Sequence, residues 1–205
     1  WFYASATVER TIAGWREREA KVGRVYACAT QTIGGFPFRI DVRCSDPSAE
    51  FRSAQPATAL KWKDLHVVAN VFSPTRLVGE LIGPLMIGEP GRLPNMSANW
   101  RSAEILMRGL PIAPESVTLA LDEANVERVA GGGNESVFKA KKAEFTGRMV
   151  EGSAASNPVI GFALKLAEAT APAGHPVAAA PFDADVTAVL RGLKDFAPKP
   201  WPARF

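Results

Sequence analysis

Two cysteines and two histidines are the scarce reactive side chains of this chain, and their spacing limits the chemistry open to them. Cys28 and Cys44 flank Ile33-Gly34-Gly35-Phe36-Pro37-Phe38, and the midpoint of the pair falls on Phe36, inside that turn signal. If 24–33 and 36–44 form the arms of a hairpin, the two cysteines oppose one another. Opposed residues of an antiparallel pair have Cα atoms about 4.5–5.5 Å apart, which a disulfide tolerates. Such bonds persist in oxidising compartments and are rare in the cytosol. The alternative is a pair of buried thiols behaving as small apolar residues. A metal site needs more ligands than two cysteines and two distant histidines supply.

His66 sits in an alternating stretch beside Lys63 and Asp64, and His175 lies among prolines and alanines. Neither has the Gly-x-Ser-x-Gly setting of a hydrolase nucleophile, and both read as surface or hydrogen-bonded histidines. Asp122-Glu123 and Asp183/Asp185 read as solvated strand ends rather than an acid and a base. Gly131–Gly133 lacks the Lys-Ser/Thr that a phosphate-binding loop requires. The expectation is a protein that is not an enzyme and takes no cofactor. A net charge of +3 without interleaved aromatic and basic residues gives no ground for nucleic acid as a partner.

The elements that must carry these residues follow from the pattern. With 205 residues, 47% hydrophobic and 22% charged, the chain is a folded domain without the long apolar run of a membrane span. Residues 4–21 read as one amphipathic helix, with Val8, Ile12 and Trp15 on one face and Gly23 as its stop. Beyond it the period changes to two. Strands are expected at 24–33, 36–44, 49–54, 58–63, 65–72, 76–82, 97–107, 116–122, 136–150, 159–169 and 182–191. Thr75–Gly83 and Asp183–Phe196 fit either strand or helix. Phe138 and Ala140 against Ala143, Phe145 and Met149 show a slip of phase near 141–142 that a β-bulge would absorb. Lys139, Lys141, Lys142 and Arg148 read as an exposed edge guarded against aggregation, with anionic head groups as the competing use. The fold class expected is mainly β (α+β): one β-rich domain over 1–205, its helix packed on a long curved antiparallel sheet at 24–196.

The aromatic start Trp1-Phe2-Tyr3 and the proline-rich end at 198–202 suggest a fragment of a longer protein, cut downstream of an apolar anchor. Trp15 in the helix, Gly23-Arg24-Val25-Tyr26, and above all Gly35-Phe36-Pro37-Phe38-Arg39 resemble the domain of unknown function 2125 family. Asn99-Trp100-Arg101-Ser102-Ala103 and Leu121-Asp122 are similar to its strand-rich middle. The resemblance implies alphaproteobacterial envelope proteins with an N-terminal membrane anchor, and implies no reaction or catalytic residues. There is a more distant, fold-level similarity to AsmA-like lipid-handling proteins.

In the turn, Gly34 and Gly35 permit positive φ, Pro37 fixes its own φ, and Phe36 and Phe38 share a face, with Arg39 beside them. The turn either closes the hairpin onto the helix or offers an aromatic tip to lipid or a partner. The leading functional expectation is a periplasmic, inner-membrane-anchored domain binding lipid or another hydrophobic ligand. Trp62, Val67, Val71, Leu81, Leu85, Met86, Leu106, Leu119 and Phe145 are its candidate groove lining, and each also fits a plain core. The alternative is an interaction or scaffolding module that meets an envelope protein partner along an exposed sheet edge.

Overall fold

The computed structural model describes residues 2–109, 115–130, 133–150, 158–172, 174 and 180–191. The helix α1 (Phe2–Lys21) ends at Gly23, whose φ of 82° a side chain would strain. A Cβ there would also stand 2.1 Å from Ser53 Oγ, the hydroxyl that donates to Val22 O. Trp15 stacks on Tyr26 at 4.6 Å and Arg24 pairs with Glu19, so the helix lies along the first strands, antiparallel to them.

The rest is one antiparallel sheet of fourteen strands. Five arms are each broken once: β1 (Arg24–Ala27) with β2 (Thr30–Gly34), β3 (Arg39–Ser45) with β4 (Ser48–Phe51), β5 (Thr58–Lys61) with β6 (Asp64–Asn70), β7 (Ser73–Ile82) with β8 (Leu85–Gly88), and β9 (Met96–Asn99) with β10 (Ser102–Arg108). Four strands without such a partner follow: β11 (Ser116–Ala130), β12 (Gly133–Met149), β13 (Ile160–Ala169) and β14 (Phe182–Leu190). Each arm pairs with the next, giving an up-and-down meander curled into a half-barrel.

The breaks fall in register and form a crease across the sheet. Residues 46–47 face 62–63, since Ser45 pairs with Asp64 and Ser48 with Lys61. The line continues through 83–84 and 100–101 to Glu123, between the pairs Ser102–Asp122 and Asn99–Asn125. Asp46, Glu123 and Glu168, the non-glycine residues with positive φ among those described, all lie on it. Cross-strand bonds survive there: Asp46 N donates to Lys63 O at 2.8 Å and Arg101 N to Asp122 O at 2.9 Å. The Trp100 ring covers Gly83, where a Cβ would sit 3.3 Å from Cε2, and its Nε1 donates to Leu81 O at 2.9 Å.

At this line the apolar phase changes by one residue. Val117, Leu119 and Leu121 give way to Ala124 and Val126 in β11, and Phe138 and Ala140 to Ala143 and Phe145 in β12. A flat sheet would turn one half's apolar side chains outward. The irregular residue at the crease instead keeps the apolar residues of both halves on one side. Among the described residues the buried Cys and Ala side chains are Cys44, Ala49, Ala103, Ala124, Ala140 and Ala169, all within three positions of the crease. Only small side chains fit inside a sharp bend. No large side chain is fully buried among the described residues.

The expected fold class therefore holds, with local corrections. The 24–33 strand is broken at Cys28, so Cys44 pairs with Gln31 rather than with Cys28. The disulfide Cys28–Cys44 still forms, across a Cα separation of 5.5 Å, because the break turns Cys28 toward β3. The 97–107 strand splits at Trp100, and β8 was not anticipated. Thr75–Ile82 and Asp183–Leu190 are strand, and 192–196 lie outside the described residues. Lys139, Lys141 and Lys142 are not on an edge: β12 lies between β11 and β13, and Lys141 pairs with Glu168 across the crease. His175 and the proline-rich end lie outside the described residues.

Two outcomes follow. Opening the bridge, which spans a sequence separation of 16, should lower stability by about 2–3 kcal/mol in urea melts run with and without reductant; coincident melts would show that the bond is not made. Gly83→Val, which drives a branched side chain into Trp100, should cost about 1–3 kcal/mol in the same assay, and a neutral result would mean that the ring does not press on the crease.

Candidate functional site

Pairing register sorts the side chains of the sheet into two faces. One transverse row runs Ile33, Val42, Val67, Gly79, Ile105, Leu119, Phe145, Leu164 and Val186 through nine strands in turn. A second runs Ile40, Ala69, Leu77, Met107, Val117, Gly147, Phe162 and Ala188. At ~4.8 Å per strand the first row covers roughly 40 Å of arc without a polar side chain. Across the crease the apolar side continues through Ala49, Leu60, Ile87, Met96, Val126 and Phe138.

This apolar side is the inner wall of the half-barrel. Beyond the sheet itself, α1 covers only its margin at β1 and β2. Phe145 stacks on Phe162 at 5.9 Å, and that ring fills the space left by Gly147, 3.6 Å from where a Cβ would be. Even so, Phe145 is 41% exposed, Val117 36% and Val186 54%. Side chains of this size in a packed core would be sealed from water. The wall is open to solvent.

The outer face is more polar, although one of its rows carries Val68, Val78 and Leu106 beside Asp41, Thr118 and Thr146. Arg43, His66, Glu80, Glu104, Ala120, Glu144, Lys165 and Asp185 form the row beside the first apolar one. A depression of ≈ 530 Å³ lies here, and its lining includes Val68, Val78, Ala120, His66, Glu80 and Glu104. Asp41, 6% exposed, accepts from His66 Nε2 at 2.6 Å and Arg43 Nε at 3.3 Å. A carboxylate only accepts, so this geometry puts the ring proton on Nε2. Burial raises the Asp41 pKa, but the hydrogen bonds from Arg43 and His66 and their charges outweigh it and hold the carboxyl below its ordinary range. Among the described residues no hydroxyl or thiol is hydrogen-bonded to the His66 ring, and no three His, Cys, Asp or Glu side chains are grouped to hold a metal ion. The pair ties β3 to β6.

The chain matches, over residues 1–205, the family described as an uncharacterised protein conserved in bacteria (DUF2125). The chain belongs to this family. No curated protein and no solved structure matches it. The disulfide indicates an oxidising, extracytoplasmic environment for this DUF2125 member. No described helix is long and apolar enough to cross a membrane.

Of the nine lining residues expected, Val67, Leu81, Leu119 and Phe145 stand on the inner wall below the crease and Leu85 above it. Leu106 is corrected to the outer face, in register with Val78 and Thr118, because Ile105 and Met107 take the inner positions of β10. Met86 is likewise outward, paired with Ser97 and Lys61 while Leu85 and Ile87 turn in. Val71 is at a hairpin tip and 44% exposed. Trp62 lies on the crease, its indole Nε1 buried without a partner. Ile105, Met107, Val117, Phe162 and Leu164 were missed; Val117, Phe162 and Leu164 fall on an alternation that could have named them, whereas Ile105 and Met107 flank Leu106 in an unbroken apolar run. Phe36 and Phe38 are 69% and 63% exposed at the β2–β3 turn.

Asp41 contributes stability that is complete above the unfolded carboxyl value and lost as pH falls through its lowered folded value. Asp41→Asn should therefore be the less stable protein at neutral pH, with the gap to wild type narrowing below about pH 4. Equal urea midpoints across that range would remove the pair as a stabilising contact.

Proposed function

We propose that this protein is a non-enzymatic, periplasmic lipid-binding domain, held at the inner membrane in its full-length form, whose half-barrel shelters an acyl chain or another hydrophobic ligand. The observation that carries the reading is the uncovered apolar wall, with Val117, Phe145 and Val186 open to solvent in a chain that buries no large side chain completely among its described residues. Such a surface is costly to leave in water, at about 25 cal/mol per Å². A hydrophobic ligand lying along the strands would remove it from water without any change in the sheet. The AsmA-like resemblance agrees with this use, as an analogy of fold. Residues such as Ile105, Leu119, Phe145 and Leu164 would make the contacts.

A second reading rests on β14, which among the described residues pairs with β13 alone and leaves its other edge open, with Val186 and Val189 exposed. An envelope protein partner could add a strand there.

Native mass spectrometry of the purified protein should show bound lipid. Val117→Glu and Phe145→Glu place a carboxylate at exposed positions on the wall. They should weaken binding of a fluorescent fatty acid by at least about ten-fold, the cost of a buried unpaired charge, while leaving the melting temperature within a few degrees. If the protein carries no lipid and both variants bind the probe like wild type, the groove reading fails; crosslinking to one protein through β14 would then favour the edge.

A further inference from the structure

The two ends of the half-barrel are built differently. At the end formed by the β2–β3 and β6–β7 turns, Phe36, Phe38, Val71 and Phe72 are exposed, Phe72 to 78%. Three of them form one cluster: Phe38 and Phe72 stack at 6.1 Å, and Val71 N donates to Phe38 O at 2.9 Å. Exposed singly, such residues need no explanation, but four together on adjoining tips form an apolar projection.

Behind this tip lies a band of arginines. Arg39 opens β3 and pairs in register with Asn70 at the end of β6. Arg76 lies directly opposite Arg108, Arg108 opposite Ser116, and Ser116 opposite Arg148. Arg191 follows the end of β14 at the same end of the sheet. All five are exposed, and none has an ion pair among the described residues. Like charges facing across a strand pair, as Arg76 and Arg108 do, destabilise the sheet. Glu115 is a carboxylate at this end, and it is not paired with any of them. At the other end the arginines are neutralised locally: Arg52 by Glu50, Arg92 by Glu89 and Arg128 by Glu135. The helix also points the right way. It runs antiparallel to β1 and β2, through the contacts of Glu19 with Arg24 and of Arg16 with Cys28, so its N-terminal end is directed toward the tip.

We infer that this end is a docking surface for an anionic lipid bilayer, with the phenylalanines entering the interface and the arginine band meeting the phosphates behind them. Aromatic side chains with adjacent arginine are the combination that settles at a bilayer surface. The charge is complementary to phosphate, and among the described residues these arginines have no ion-pair partner. Docked this way, the apolar wall would open toward the membrane. The inference stands whether or not the groove holds lipid, since it rests on residues of the tip and the outer face.

Vesicle flotation tests it. The full chain should float with vesicles of phosphatidylcholine containing roughly one-third phosphatidylglycerol, weakly with phosphatidylcholine alone, and less as salt rises. Arg76→Glu with Arg108→Glu should reduce binding to the anionic vesicles by at least about ten-fold, at about five-fold per charge near such a surface. Phe38→Ser with Phe72→Ser should reduce it at both low and high salt. Arg92→Glu with Arg128→Glu, at the far end, should bind as wild type does; an equal loss there would mean diffuse basic attraction and would overturn the docking surface. So would a wild-type chain that stays unbound on anionic vesicles at low salt, or an Arg76/Arg108 variant that binds undiminished. Near-ultraviolet circular dichroism of each variant confirms folding. Fatty-acid binding by the groove, measured in the same tip variants without vesicles, should stay at the wild-type value, so failure of docking and failure of the groove reading are told apart.

Discussion

A sheet that must stay apolar on one side while folding across its own strands faces a parity problem. Side chains alternate with a period of two, and a sharp bend consumes a residue, so without correction the apolar residues on the far side of the bend would face outward. Here the correction is made on one line. Asp46, Glu123 and Glu168 take positive φ, Gly83 lies beneath Trp100, and alanines occupy the inside of the bend. The apolar wall, the position of the disulfide and the location of the few sealed side chains all depend on those residues lining up from strand to strand.

Stability is consequently distributed in an unusual way. In a packed domain most of the favourable free energy comes from large side chains withdrawn from water on all sides. In this molecule that withdrawal is partial, and backbone ladders, cross-strand neighbours and the Cys28–Cys44 bridge carry a larger share. The same incompleteness leaves the inner wall open to solvent. A half-barrel filled to the density of a core would be firmer and would have nothing to offer.

Much of the fold was legible in the sequence because alternation is a local signal. Val117, Leu119 and Leu121, or Leu65, Val67 and Ala69, declare a strand and its inner face without reference to anything distant. The slip near 141–142 was visible for the same reason. What could not be read was that similar slips elsewhere fall on a common line, since that depends on pairing register between arms. Runs of three apolar residues were ambiguous in phase, which is why Leu106 and Met86 were placed on the wrong side. The Phe36–Phe38 turn was recognisable as a turn, but its exposure depends on Phe72 of another hairpin. The arginine band was invisible for the same reason: its members are separated by about thirty to forty residues in sequence and meet only through register.

The meander has a thermodynamic implication of its own. Every arm touches only its predecessor and its successor, so the molecule behaves as a nearly one-dimensional array, with stability a sum of local terms and terms between neighbours. Such arrays melt from their ends. The first end is pinned by a helix and a covalent bond, whereas β14 at the other has, among the described residues, a neighbour on one side only. Fraying should therefore travel inward from β14, widening the trough from one margin while the pinned margin holds its shape. A ligand could enter and leave by that route without unfolding the rest.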